Sequence, residues 1–207
     1  MYKLLPALPD GFDLNDTLAV SAAIHDGAKS IGIVVSAVAP SARMVLRGGR
    51  GEPMAVFKKV TAELGLEVPP KMLRQTVKGG EHVSWLGPDE LYITSDNEAT
   101  AAKMVAICAA GVVTGGAAVD VSHRFCGLEI TGKRAVEIIM AQAPLDLTEE
   151  AFPVGKVTRT LFSKVEIILS RPSANLYRME FGRSFLNYVT ELCGAIERDI
   201  VAIDKAG

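Results

Sequence analysis

Four polar side chains crowd into the run Val119-Asp120-Val121-Ser122-His123-Arg124. Together with Arg159 they are the best candidates for chemistry in the chain. An imidazole beside a guanidinium, with a carboxylate nearby, could act as a general base or hold an acidic ligand. Corner residues of this kind more often tie a loop down by hydrogen bonds, and that bland role has the greater weight for Asp120, His123 and Arg124. Arg159 shares its strand face with Val157 and Leu161, so it reads as a buried guanidinium needing an acid, Asp120 or Glu180. An exposed interface position is the rival reading. Asp120, His123, Arg124 and Arg159 therefore stand as candidate ligand or subunit contacts, with no catalytic residue and no metal ligand assigned.

The remaining signals are mostly negative. His25 lies in a loop-like stretch and His82 at a strand edge. Gly48-Gly49-Arg50-Gly51 precedes a helix but lacks the Lys-Ser/Thr ending of a phosphate loop, which makes it a plain strand-to-helix turn. There is no G-x-G-x-x-G after a strand, no G-x-S-x-G and no H-E-x-x-H. Cys108, Cys126 and Cys193 lie far apart among apolar neighbours, as small hydrophobes of a reduced, cytoplasmic protein do.

Composition closes off whole classes of function. A net charge of -2 with scattered basic residues gives no footprint for nucleic acid. Asp10, Asp13 and Asp16 stand where an export signal would carry lysines. The uncharged run Met104 to Val119 falls short of the roughly 20 residues that cross a bilayer and is broken at Gly111, so no membrane span is expected. At 207 residues the chain can bury roughly 70% of its unfolded surface without staples.

The candidate residues need elements to position them. Apolar residues occupy odd positions at Val119 and Val121 and even positions at Cys126, Leu128 and Ile130. One flat strand cannot send both sets to the same core, so a corner is required at Ser122-His123-Arg124. Residues 1–30 read as an arm. A single two-lobed domain follows, with lobe one at 31–112 and lobe two at 113–207.

In lobe one, strands are expected at 33–38 and 43–47, then a helix at 52–64 with Phe57, Val60 and Leu64 inward. Strands at 72–77, 82–86 and 91–94 follow, the last two joined by a Gly87-Pro88-Asp89 turn. Ser95-x-x-Glu98 reads as a capping box for a helix with Ala101, Met104, Val105 and Cys108 inward.

Lobe two repeats this order: strands at Val119 and Cys126, then a helix from Lys133 with Val136, Ile139, Met140 and Ala143 at helical spacing. Strands at 157–162, 165–169 and 176–181 come next. A closing helix from Arg183 places Phe185, Val189, Leu192, Ile196 and Ile200 against Val165, Ile167 and Leu169. The fold class is α+β, two pseudo-repeated strand-strand-helix-strand-strand-strand-helix lobes offset by roughly 80 to 85 residues.

Six ordered motifs resemble one family. They are Ser84-Trp85-Leu86-Gly87-Pro88-Asp89-Glu90, Val119 to Arg124, Pro144-Leu145-Asp146-Leu147, Phe152-Pro153-Val154-Gly155, Thr158 to Phe162 with Lys164, and Arg183-Ser184-Phe185 with Tyr188. The resemblance is to the gamma subunit of heterotetrameric sarcosine oxidase, a family that itself resembles the folate-binding domain of glycine cleavage aminomethyltransferase. It implies a noncatalytic, cytoplasmic subunit that binds no cofactor and partners alpha, beta and delta subunits. FAD, FMN, NAD and tetrahydrofolate would lie in the larger subunits of the complex. That complex demethylates sarcosine oxidatively to glycine, passing the one-carbon unit to tetrahydrofolate or releasing formaldehyde.

Lys164 stands where aminomethyltransferases carry acidic residues, which argues against folate on this chain. Ala143 replaces a cysteine common in the gamma family. The alternative implied by the same likeness is a free-standing folate or pterin binder using a cleft between the lobes, with His123, Arg124 and Arg159 as contacts. Self-association of the isolated chain is a third expectation.

Overall fold

A computed structural model describes residues 32–49, 51–113 and 115–206. The expected arm at 1–30, His25 and Arg50 lie outside the described residues. Among the described residues, eleven strands and four α-helices follow in the order β1 (Val34–Ala37), β2 (Ala42–Arg47), α1 (Pro53–Leu64), β3 (Gln75–Lys78), β4 (Glu81–Gly87), β5 (Glu90–Ser95), α2 (Glu98–Ala110), β6 (Val112–Val113), β7 (Gly116–Asp120), β8 (Phe125–Thr131), α3 (Ala135–Met140), β9 (Val157–Phe162), β10 (Val165–Ser173), β11 (Leu176–Gly182) and α4 (Leu186–Ala206). Among the described residues no helix is long and apolar enough to cross a membrane.

The strands form two antiparallel sheets, ordered β3-β4-β5-β2-β7-β6 and β1-β8-β11-β10-β9. Read from β7 outwards, the first sheet runs β7-β2-β5-β4-β3, and each strand has its repeat counterpart at the same place in the second. The duplication is therefore structural. Each half lends its first strand to the other's sheet: β1 pairs with β8, and β7 pairs with β2. A division of the sequence at 112/113 consequently does not divide the sheets.

Alternation along the strands sorts side chains into three layers. Met44, Leu46, Leu91 and Ile93 join Phe57 and Val60 of α1 and Met104 of α2 in one core. Leu128, Ile130, Ile167, Leu169, Met179 and Phe181 join Ile138 and Ile139 of α3 and Val189 of α4 in a second. Between the sheets lies a small apolar cluster of Leu86, Tyr92, Val121, Val157 and Ile168. The order through the molecule is thus helices, sheet, sheet, helices.

Several local expectations shift. The cap of α2 is Asn97, whose side chain accepts from the Thr100 N–H at 3.1 Å, and Ser95 instead accepts from Asn97 N–H. Ile107 is the buried residue of its last turns, while Val105 and Cys108 are only partly covered. In α3, Ile138 is buried and Met140 is exposed. In α4 the inward stripe is Leu186, Val189, Cys193, Ile196 and Ile200, because Phe185 sits in a 3-10 turn before the helix and stays exposed. Gly48 and Gly49 are closely packed, and a side chain on Gly49 would strike the Gly115 carbonyl.

Candidate functional site

The faces that the sheets turn towards each other carry Arg43 and Val45 from β2, Glu90, Tyr92 and Thr94 from β5, and Arg178 and Glu180 from β11. Each alternates with residues of the outer cores, so the same pleat that fills those cores forces charge between the sheets. Such charge is tolerable only when paired.

Glu180 is the centre of this layer, with a side chain 5% exposed. It accepts from Arg43 Nε at 2.7 Å, from Arg178 Nε at 2.9 Å and Nη2 at 2.6 Å, and from the Tyr92 hydroxyl at 3.2 Å. Gly127 faces it across the β8–β11 ladder, and any side chain there would collide with the carboxylate. Burial alone would push the Glu180 carboxyl up, but the two guanidiniums outweigh it and hold the group below its usual range. The Tyr92 hydroxyl is raised well above its ordinary value, by burial first and by the Glu180 charge second.

Arg178 continues the chain of contacts. Its Nη1 meets His82 Nε2 at 3.2 Å and Glu129 at 3.5 Å. His82 is pushed down to about 4 by burial and by the neighbouring Arg178 charge, so its ring is neutral near pH 7.

The corner ties into the other end. Asp120 Oδ1 accepts from the Ser122 backbone N–H at 2.8 Å and hydroxyl at 2.6 Å. The Ser122 oxygen in turn accepts from the Arg43 N–H at 2.9 Å. The polypeptide turns here from the first sheet into the second, as the frame change in the sequence requires. His123 and Arg124 point away from this network into solvent. The Arg124 guanidinium lies 6.0 Å from the centre of the Phe125 ring.

Arg159 has a partner other than the two expected. It grips Glu90 with Nη1 at 2.7 Å and Nη2 at 2.5 Å, and Arg47 reaches the same carboxylate at 3.2 Å. Two arginines occupy Glu180, and Asp120 is exposed at the corner, where it holds Ser122. The four candidates are thus not gathered into one site: Asp120 locks the corner, Arg159 clamps the sheets, and His123 and Arg124 lie on the surface.

Sequence reading missed Arg43, His82, Glu90 and Arg178 as members of the layer. The signal available was a charge at every second position of an apolar strand, as in Tyr177-Arg178-Met179-Glu180-Phe181. That pattern equally describes a strand with one wet face. Among the described residues no cluster of histidine, cysteine or carboxylate side chains could hold a metal ion.

The duplicated layers and internally paired interior define an α+β protein of the aminomethyltransferase folate-domain architecture. The glycine cleavage system aminomethyltransferase T of Bartonella henselae aligns with a TM-score of 0.55 at 8% identity, over 82% of this chain and 48% of that one. A chain of heterotetrameric sarcosine oxidase from Corynebacterium sp. U-96 aligns with a TM-score of 0.74 at 21% identity, over 88% of this chain and 93% of that one. A sarcosine oxidase subunit gamma from Arthrobacter sp. is 28% identical over 153 residues, 72% of each chain. The model of the "Sarcosine oxidase, gamma subunit family" matches residues 47–194. The chain belongs to that family.

Proposed function

We propose that this chain is the noncatalytic gamma subunit of a cytoplasmic heterotetrameric sarcosine oxidase. In that assembly the alpha, beta and delta subunits are its partners, and FAD, FMN, NAD and tetrahydrofolate are held by the larger chains. The complex removes the methyl group of sarcosine oxidatively, leaving glycine, and hands the one-carbon unit to tetrahydrofolate or releases it as formaldehyde. His123 and Arg124 serve as subunit contacts from the outer side of the corner, while Asp120 and Arg159 hold the shape that presents them.

One observation carries this reading beyond family membership: the charged side chains that the two sheets turn towards each other are spent on one another. Glu180 is saturated by two guanidiniums, and Glu90 by Arg159 and Arg47. A free-standing folate or pterin binder is the rival suggested by the aminomethyltransferase likeness. It would need His123, Arg124 and Arg159 to converge, and Arg159 is engaged elsewhere.

The test is the isolated chain. Sarcosine should cause no oxygen uptake and a reduced folate no heat at millimolar concentration. Turnover by this chain alone would overturn the noncatalytic assignment, and folate binding would favour the rival.

A further inference from the structure

Four strands stand at sheet edges among the described residues: β1, β3, β6 and β9. β9 is the longest of them, with six residues against four, four and two. Its outer edge is covered along only part of its length. The Val157 N–H donates away from β10 to the Leu73 carbonyl at 3.2 Å, beside the bridge of Arg74 to Lys156. Main-chain groups of an antiparallel strand point to alternate sides, so the N–H and C=O of Arg159 and Leu161 also point away from β10. No backbone group among the described residues meets them there.

Exposed edges are ordinarily guarded by proline, a bulge or an outward lysine. β9 reads Val-Thr-Arg-Thr-Leu-Phe and pairs with β10 without a register shift. Its one charge, Arg159, is folded onto Glu90 and Glu166. Leu161 is 47% exposed. Cations flank the open stretch, Arg74 and Lys156 at one end and Lys164 in the turn at the other. None of these three has a carboxylate partner among the described residues.

A second copy fits this edge poorly. Two-fold pairing of β9 centred on Thr160 would bring Lys156 of each chain to Lys164 of the other, and like charges directly opposite repel. We propose that the open half of β9 takes up an extended segment of a different chain as an added strand. That segment carries an apolar residue beside Leu161 and carboxylates at both ends to meet Lys156 and Lys164. The inference rests on the assembly proposed above and adds a contact surface to it, three strands across the sheet from the corner at His123 and Arg124.

The test compares hydrogen exchange in the full-length chain alone and in its affinity-captured complex with co-expressed alpha, beta and delta chains. The Arg159 and Leu161 amides should exchange freely in the chain alone and be slowed at least about tenfold in the complex, while the Thr160 amide, bonded to β10, is slow in both. Leu161→Pro deletes an outward N–H and no bond to β10, so the chain should still fold, as thermal melts check, yet retain at least about fivefold less of its partners. Lys156→Glu combined with Lys164→Glu should weaken capture at least about fivefold as well. A complex that forms with Arg159 and Leu161 still exchanging freely, or that captures both variants as well as the wild type, would overturn the added strand and leave the assembly standing. Failure of the wild type to capture any of the three chains would reject the assembly and the added strand with it. Protection of the two amides that grows with the concentration of the chain alone would make a second copy the occupant and also overturn the proposal.

Discussion

Glu90 and Arg159 stand 69 positions apart on different sheets, yet meet through two side-by-side contacts of 2.7 and 2.5 Å. The Glu90 side chain is 4% exposed and that of Arg159 37%. This bridge joins two of the six sequence motifs, Ser84 to Glu90 and Thr158 to Phe162, and fastens sheet to sheet at one edge. Arg159→Gln should cost about 1 to 3 kcal/mol, and the Glu90→Gln, Arg159→Gln double-mutant cycle should show coupling of at least ~1 kcal/mol in urea unfolding. Additive single effects would mean that the contact is incidental.

Glu180 faces a steeper penalty, because its removal strands the buried guanidiniums of Arg43 and Arg178. Glu180→Gln is expected to lose about 3 to 5 kcal/mol of unfolding free energy. A loss below ~1 kcal/mol would show that water reaches the guanidiniums.

His82 makes stability sensitive to acid. Its folded value near about 4 lies below the ~6.5 of an unfolded chain, so the unfolded state takes up the proton first as pH falls. Stability from this ring is whole above about pH 6.5 and drains away towards pH 4. Relative to His82→Gln, the wild type should lose about 2 kcal/mol between pH 7.5 and pH 5. Parallel pH profiles for the two proteins would refute the assignment.

Glu197 on α4 acts in the opposite direction. Burial raises its carboxyl to about 7 against the pull of Arg198, and its Oε1 has no partner among the described residues. The unfolded chain ionises first, so stability falls as pH rises from about 4.5 through 7. Glu197→Gln should be neutral at about pH 4 and stabilising by about 1 to 3 kcal/mol at about pH 8 in denaturant melts.

The duplication and the corner at Ser122 were legible because each rests on a period: alternation along strands, and the slip of frame between Val121 and Cys126. Exchange of β1 and β7 between the sheets was not, since both flanks of a crossover look alike in a one-dimensional pattern. The partner of Arg159 was unreadable for a related reason. Glu90, Asp120 and Glu180 are equally good acids on paper, and only the packing of β9 across β4, which brings Arg159 to Glu90 at the start of β5, decides among them. Met140 and Phe185 fell outside their expected cores because α3 is short and α4 begins at Leu186, three residues after the expected start at Arg183.

The central claim is that this chain supplies shape and contact surface to an assembly whose redox groups reside elsewhere. Co-expression of a tagged form with the alpha, beta and delta chains, followed by affinity capture and visible absorbance, tests it most directly. The expected result is a four-chain complex with flavin absorbance and sarcosine oxidation, both absent from the tagged chain purified alone, and weakened capture with His123→Ala, Arg124→Glu. Flavin on the isolated chain, or failure of the co-expressed subunits to accompany it, would contradict the claim.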